Sequence, residues 1–120
     1  GAPRILAVDI DRAGGAVVSG VAAPGAGLNV RVDRVVSGGA RADDEGRFFV
    51  ALKDPLSRDS HDIQVGGEGG EDQVTIAATP PIALTSGPVR SERLSTGWRI
   101  DWVTPGGGMQ TTLLIRGDRR

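Results

Sequence analysis

Trp98 and Trp102 stand four residues apart in Gly97-Trp98-Arg99-Ile100-Asp101-Trp102-Val103, and they are the residues here best suited to grip a ligand. An indole offers a broad apolar face and one N–H donor, which suits stacking on a sugar ring or anchoring a peptide. Arg99 and Asp101 alternate with the tryptophans and would supply the polar rim of such a groove. The same rings admit a plainer use. Phe49 follows Phe48 and must face the other way in a strand, so the tryptophans can form a second small core that covers it. On that reading Trp102→Ala costs about 3–5 kcal/mol of stability.

Other residues invite chemistry and support it less. Asp43, Asp44 and Glu45, joined by Asp9 and Asp11, would offer carboxylates to Ca²⁺, but the spacing is not that of an EF-hand. A solvated turn is the simpler account, so no metal or other cofactor is expected. His61 is the single histidine, flanked by Asp59, Ser60 and Asp62. Neighbouring strand residues point to opposite faces, so Ser60 and His61 cannot readily share a proton, and no catalytic residue is assigned. Gly106-Gly107-Gly108 lacks the Lys-Ser/Thr and the helix of a phosphate loop, and reads as a hairpin turn. Arg116-Gly117-Asp118 spells an integrin tripeptide by chance in a chain end, and Arg119-Arg120 reads as a frayed terminus.

The elements that must position these residues are strands. No window holds an apolar helical period for three turns without Gly or Pro. Strand signals recur at about ten-residue spacing, the rhythm of an all-β domain. Arg4–Asp11 places Leu6, Val8 and Ile10 on one face. Ala16–Ala22 and Gly27–Val36 follow, the latter losing its alternation at Arg34-Val35-Val36, where a bulge or strand end is expected. Ser37-Gly38-Gly39 reads as an interruption before a short Ala40–Ala42 segment. Arg47–Lys53 alternates Phe48, Val50 and Leu52. His61–Val65 and Asp72–Ala78 flank a loose glycine hairpin, and Thr79-Pro80-Pro81 ends the run. The expected layout is one domain over residues 1–120: a sandwich over 4–79, a connecting segment over 82–96, and a hairpin over 97–116 around Pro105-Gly106-Gly107-Gly108.

Composition sets outer limits. The 120 residues carry a net charge of −1 and one lysine, Lys53, so there is no basic stripe for nucleic acid. Nineteen glycines and seven prolines fit a chain of many turns. There is no cysteine, hence no disulfide framework and no thiol chemistry. No apolar run is long enough for a membrane helix, so no membrane insertion is expected. Gly1 reads as the scar of a cleaved tag, which leaves open what came before Ala2.

Three blocks resemble bacterial Ig-like domains. Ser19-Gly20-Val21-Ala22-Ala23-Pro24-Gly25-Ala26 is similar to their strand-to-strand signature. Ala42-Asp43-Asp44-Glu45-Gly46-Arg47-Phe48 resembles their acidic-glycine turn, and Ser60-His61-Asp62-Ile63-Gln64-Val65 a later strand. The pattern covers residues 4–79 and is shared in part with carboxypeptidase-regulatory-like, transthyretin-like sandwiches. The resemblance implies an Ig-like antiparallel β-sandwich over 4–79, and with the hairpin read from residues 97–116 the expected fold is an all-β, Ig-like antiparallel sandwich with an added C-terminal β-hairpin. It also implies an extracytoplasmic, non-enzymatic structural or adhesive module of a bacterial envelope or surface protein. A carbohydrate- or peptide-binding module and an accessory domain of a larger enzyme are the alternatives. An envelope polysaccharide, or another protein paired along a sheet edge, would be the partner.

Overall fold

The computed structural model describes residues 1–117. Asp118 of the Arg-Gly-Asp tripeptide and Arg119-Arg120 lie outside the described residues. Two antiparallel sheets pack face to face. The larger has six strands in the order β5-β2-β1-β10-β9-β8, the smaller four in the order β4-β3-β6-β7. The first seven strands are β1 (Arg4–Asp11), β2 (Ala16–Val21), β3 (Gly27–Val32), β4 (Val35–Arg41), β5 (Arg47–Ala51), β6 (Ser60–Gly67) and β7 (Gly70–Ala77). After an irregular segment come β8 (Val89–Leu94), β9 (Gly97–Val103) and β10 (Met109–Ile115). No helix among the described residues is long and apolar enough to cross a membrane.

Alternation dictates the core. Val8, Ile10, Val18, Phe48 and Val50 of the larger sheet face Leu28, Val30, Ile63, Val65, Val74 and Ile76 of the smaller one, all nearly inaccessible to solvent. Such apolar burial is the main force holding two sheets together. In β1 the simple alternation fails. A bulge between Ile5 and Ala7 turns Ile5 inward and leaves Leu6 at 38% exposure, so the inward set is Ile5, Val8 and Ile10.

The stretch from Gly27 to Ala42 also departs from its sequence pattern. It is a tight hairpin, with Asp33 and Arg34 at φ of 50° and 73° joining β3 to β4. Both central residues of such a turn need positive φ, which usually selects Asn-Gly; here Asp-Arg takes the conformation. Ser37-Gly38-Gly39 lies inside β4 rather than ending a strand, and a register shift there is absorbed between Val30 and Arg31.

The C-terminal hairpin is part of the main sheet. β10 lies antiparallel beside β1, from Ala7 opposite Leu114 to Asp11 opposite Gln110. Leu113 and Ile115 thereby enter the common core. β8, inside the expected connecting segment, extends the sheet one strand further and is one of its two edges, β5 being the other.

Candidate functional site

β9 decides what the four leading residues can do, because alternate side chains leave a strand on opposite sides. Trp98, Ile100 and Trp102 point to the outer face of the larger sheet. Arg99 and Asp101 point to its inner face, at 6% and 0% exposure. They are therefore not the rim of a groove around the tryptophans.

The outer face is built row by row from the register. Trp98 sits between Leu114 of β10 and Arg93 of β8. Trp102 sits between Gln110 and Val89, and Ile100 between Thr112 and Ser91. Trp98 and Leu114 are each 41% exposed, and Val89 is 55% exposed. The Arg93 guanidinium lies 5.2 Å from the centre of the Trp98 ring, within cation–π range. The Trp102 indole N–H donates to Thr112 Oγ1 at 3.0 Å, which lays that ring along β10. Pro88, Val89, Ile100, Trp102, Val103 and Thr112 line a shallow apolar depression of about 450 Å³. The polar surroundings are Arg93, Ser91, Gln110 and Thr112, none of which sequence reasoning singled out.

Phe49 is not covered by the hairpin. It lies on this same outer face at 65% exposure, opposite Ser19. Because β10 joins the sheet beside β1, the tryptophans continue the face that carries Phe49 rather than folding over it. The second-core expectation is corrected accordingly: Trp98 is open to solvent and Trp102 is half-buried.

On the inner face, Arg99 and Asp101 form a pin. Arg99 Nε and Nη2 donate to the two Asp101 carboxylate oxygens at 3.0 and 3.1 Å. Arg99 also reaches the Thr79 hydroxyl and the Thr79 and Pro80 carbonyls, the last at 2.7 Å. Thr111 donates to Asp101 at 2.7 Å. Burial works against the charged form of Asp101. Hydrogen bonds from Arg99, Thr111 and the Ile82 amide outweigh it and hold the carboxyl below the usual range. The pin ties the segment after β7 to the inner face of β9.

No family model, curated protein or solved structure matches this chain.

The likeness to bacterial Ig-like domains thus stands on its three sequence blocks alone. They fall at the β2–β3 connection, the β4–β5 turn and β6.

His61 has partners other than its sequence neighbours. Its Nδ1 lies 2.6 Å from Asp33 Oδ2, and its Nε2 lies 2.9 Å from the Ser57 carbonyl and 3.2 Å from the Ser57 hydroxyl. The order Ser57–His61–Asp33 is that of a hydrolase triad. A carbonyl oxygen accepts only, so the bond at Nε2 requires a proton there, and the carboxylate calls for one at Nδ1. With both of these bonds made the ring carries a proton on each nitrogen, and in that state it cannot take the proton of Ser57. Burial depresses its pKa, but Asp33 and the Ser57 carbonyl together raise it on balance. The group is a clasp joining the β3–β4 turn to the start of β6. Asp33 is 28 residues from His61, and only the folded hairpin brings them together.

The acidic turn is occupied by its own backbone. Asp43 Oδ1 accepts from the Glu45 and Arg47 amides at 2.9 and 2.8 Å, and Glu45 pairs with Arg47. Asp11 Oδ1 likewise accepts from the Ala13 and Gly15 amides. Register puts Arg47 opposite Val21, and Ala16 opposite Ile10, so the Asp43 turn and Asp11 sit at opposite ends of the sheet. They do not converge on one cation. Among the described residues, no cluster of three or more His, Cys, Asp or Glu side chains is placed to hold a metal.

Proposed function

We propose that this domain is a non-enzymatic binding module of a bacterial envelope or surface protein, acting outside the cytoplasm and adhering to polysaccharide through the outer face of β8–β10. The carrying observation is the exposure of Trp98, 41%, on a face whose reverse side already holds the core. A protein keeps a large indole in water only at a cost in hydration, and exposed apolar patches of this kind mark interaction sites. Trp98, Leu114, Ile100, Val89 and Trp102 form an apolar strip with a shallow depression at its Trp102 end, and a sugar ring presents an apolar face of C–H groups to such a surface. Arg93, Ser91 and Gln110 are placed beside it to bond hydroxyls. A purely structural module accounts for the sandwich but gives the exposed indole no role.

The test is cosedimentation with insoluble polysaccharides (peptidoglycan sacculi, cellulose and chitin) with tryptophan emission as a second readout. Binding to at least one is expected, together with loss of about tenfold or more in affinity for Trp98→Ala at unchanged thermal stability. Absence of binding to all three, or binding by Trp98→Ala equal to that of the native chain, would sink the proposal.

A further inference from the structure

The β8 edge of the larger sheet carries a pattern that its neighbours do not explain. β8 reads Val89-Arg90-Ser91-Glu92-Arg93-Leu94, and Val89 through Arg93 are exposed. Its inner side pairs with β9, Val89 opposite Trp102 through Leu94 opposite Gly97. The Val103 amide donates to the Pro88 carbonyl at 3.0 Å. In an antiparallel pair, residues alternate between bonding the partner and facing away. Residues 88, 90, 92 and 94 thus direct their backbone groups to β9. Val89, Ser91 and Arg93 direct theirs outward. Among the described residues, no backbone group from another segment bonds those three. An edge strand with three outward-facing residues is an invitation to another strand.

Parity and charge then select the occupant. A second copy of β8 running antiparallel can bond only by setting odd-numbered residues against odd-numbered ones. Three centred registers satisfy this. One places Arg90 opposite Arg90, another Glu92 opposite Glu92, and both bring like charges together. The third centres on Ser91 opposite Ser91 and sets each Arg90 against the Glu92 of the other copy. Arg90 and Glu92 side chains are 42% and 47% exposed and lie 3.8 Å apart within one chain; Arg90 also lies 3.8 Å from the buried Asp101 carboxylate, so Glu92 is the freer of the two to turn to a new partner.

We propose that two copies of this chain pair through their β8 edges, in the register Ser91–Ser91 with two reciprocal Arg90–Glu92 contacts. The result is a twelve-stranded sheet with a two-fold axis through its centre. Directly opposed residues share a face, so the outer faces of the copies become continuous. Each row then reads Trp98, Arg93, then Val89 of the partner subunit and Trp102 of the partner subunit. This inference does not depend on what the outer face binds. A strand of six residues buries less than a standard interface, so the association is weak and concentration-dependent.

Sedimentation equilibrium of the native chain across a wide concentration range is the test. A monomer–dimer equilibrium is expected. Ser91→Pro removes an outward N–H that no described group uses, and should leave the circular dichroism spectrum unchanged while yielding only monomer. Glu92→Arg sets like charges in register and should weaken the dimer by about tenfold or more, as should Arg90→Glu, whose fold is verified by circular dichroism because it sets a carboxylate beside Asp101. Mixing these two variants restores opposite charges and should give a heterodimer. A native chain that stays monomeric throughout overturns the proposal. So does a Ser91→Pro variant that dimerises like the native chain, or a dimer lost in Trp98→Ala but kept in Ser91→Pro, which would place the contact on the outer face.

Discussion

His61 is held at both ring nitrogens, and that makes stability depend on pH in two directions. Its pKa is raised: burial opposes the charge, but the Asp33 carboxylate and the Ser57 carbonyl favour it more strongly. A raised value means that its contribution is complete below about pH 6.5 and is lost as pH rises through the folded-state value. Asp33 is shifted the other way, first by the His61 bond and then by the Asp62 amide. Its contribution is present above about pH 3.9 and is lost as pH falls through the depressed value. The clasp is therefore tightest from about pH 4 to 6.5. Thermal unfolding of the native chain should show the midpoint falling as pH rises above about 6.5, and His61→Phe should remove that fall. An equal fall in the variant would locate the titration elsewhere. The sequence showed His61 among acidic neighbours, yet its working partner is Asp33. No local spacing reports a contact made by a turn 28 residues away.

At the scale of strands, the β8–β9 hairpin depends on one glycine. Gly97 has a φ of +146°, and a Cβ built there would lie 1.9 Å from the Leu114 carbonyl oxygen. The strand β10 could not approach. Gly97→Ala should destabilise the domain by about 2 kcal/mol or more, measured by denaturant unfolding, with the loss concentrated in amide protection of β8, β9 and β10. A change below about 0.5 kcal/mol would refute the close approach. Most strands were legible from alternation, because β5, β6, β7 and β9 each bury one face. Three features were not. The β3–β4 turn uses Asp33 and Arg34 at positive φ, where the ordinary glycine cue is missing. The bulge beside Leu6 shifts parity within β1. β8 has no buried face except at Leu94, so it lacks the signal on which strand recognition rests. The candidate site was half legible. Trp98 and Trp102 stood out by type, and simple alternation separates them from Arg99 and Asp101. Arg93, Leu114 and Val89 enter only through cross-strand register, which depends on pairing that the sequence does not state.

The whole molecule is an asymmetric sandwich of six strands over four, 45 × 27 × 26 Å. Its two terminal strands lie side by side, and the start of β1 is level with the end of β10. Tension applied at those two points pulls the strands apart sideways. Each of the five paired positions then carries the load alone in its turn, instead of all sharing it. Force spectroscopy with handles at Pro3 and Arg116 should record a low rupture force. Moving the first handle to Ala13 reverses the pull on β1, loads the same bonds in parallel, and should raise the force severalfold. Equal forces in the two geometries would show that another part of the domain gives way first. Mechanically the domain is a zipper gripped at its open end, suited to letting go under load rather than to bearing it.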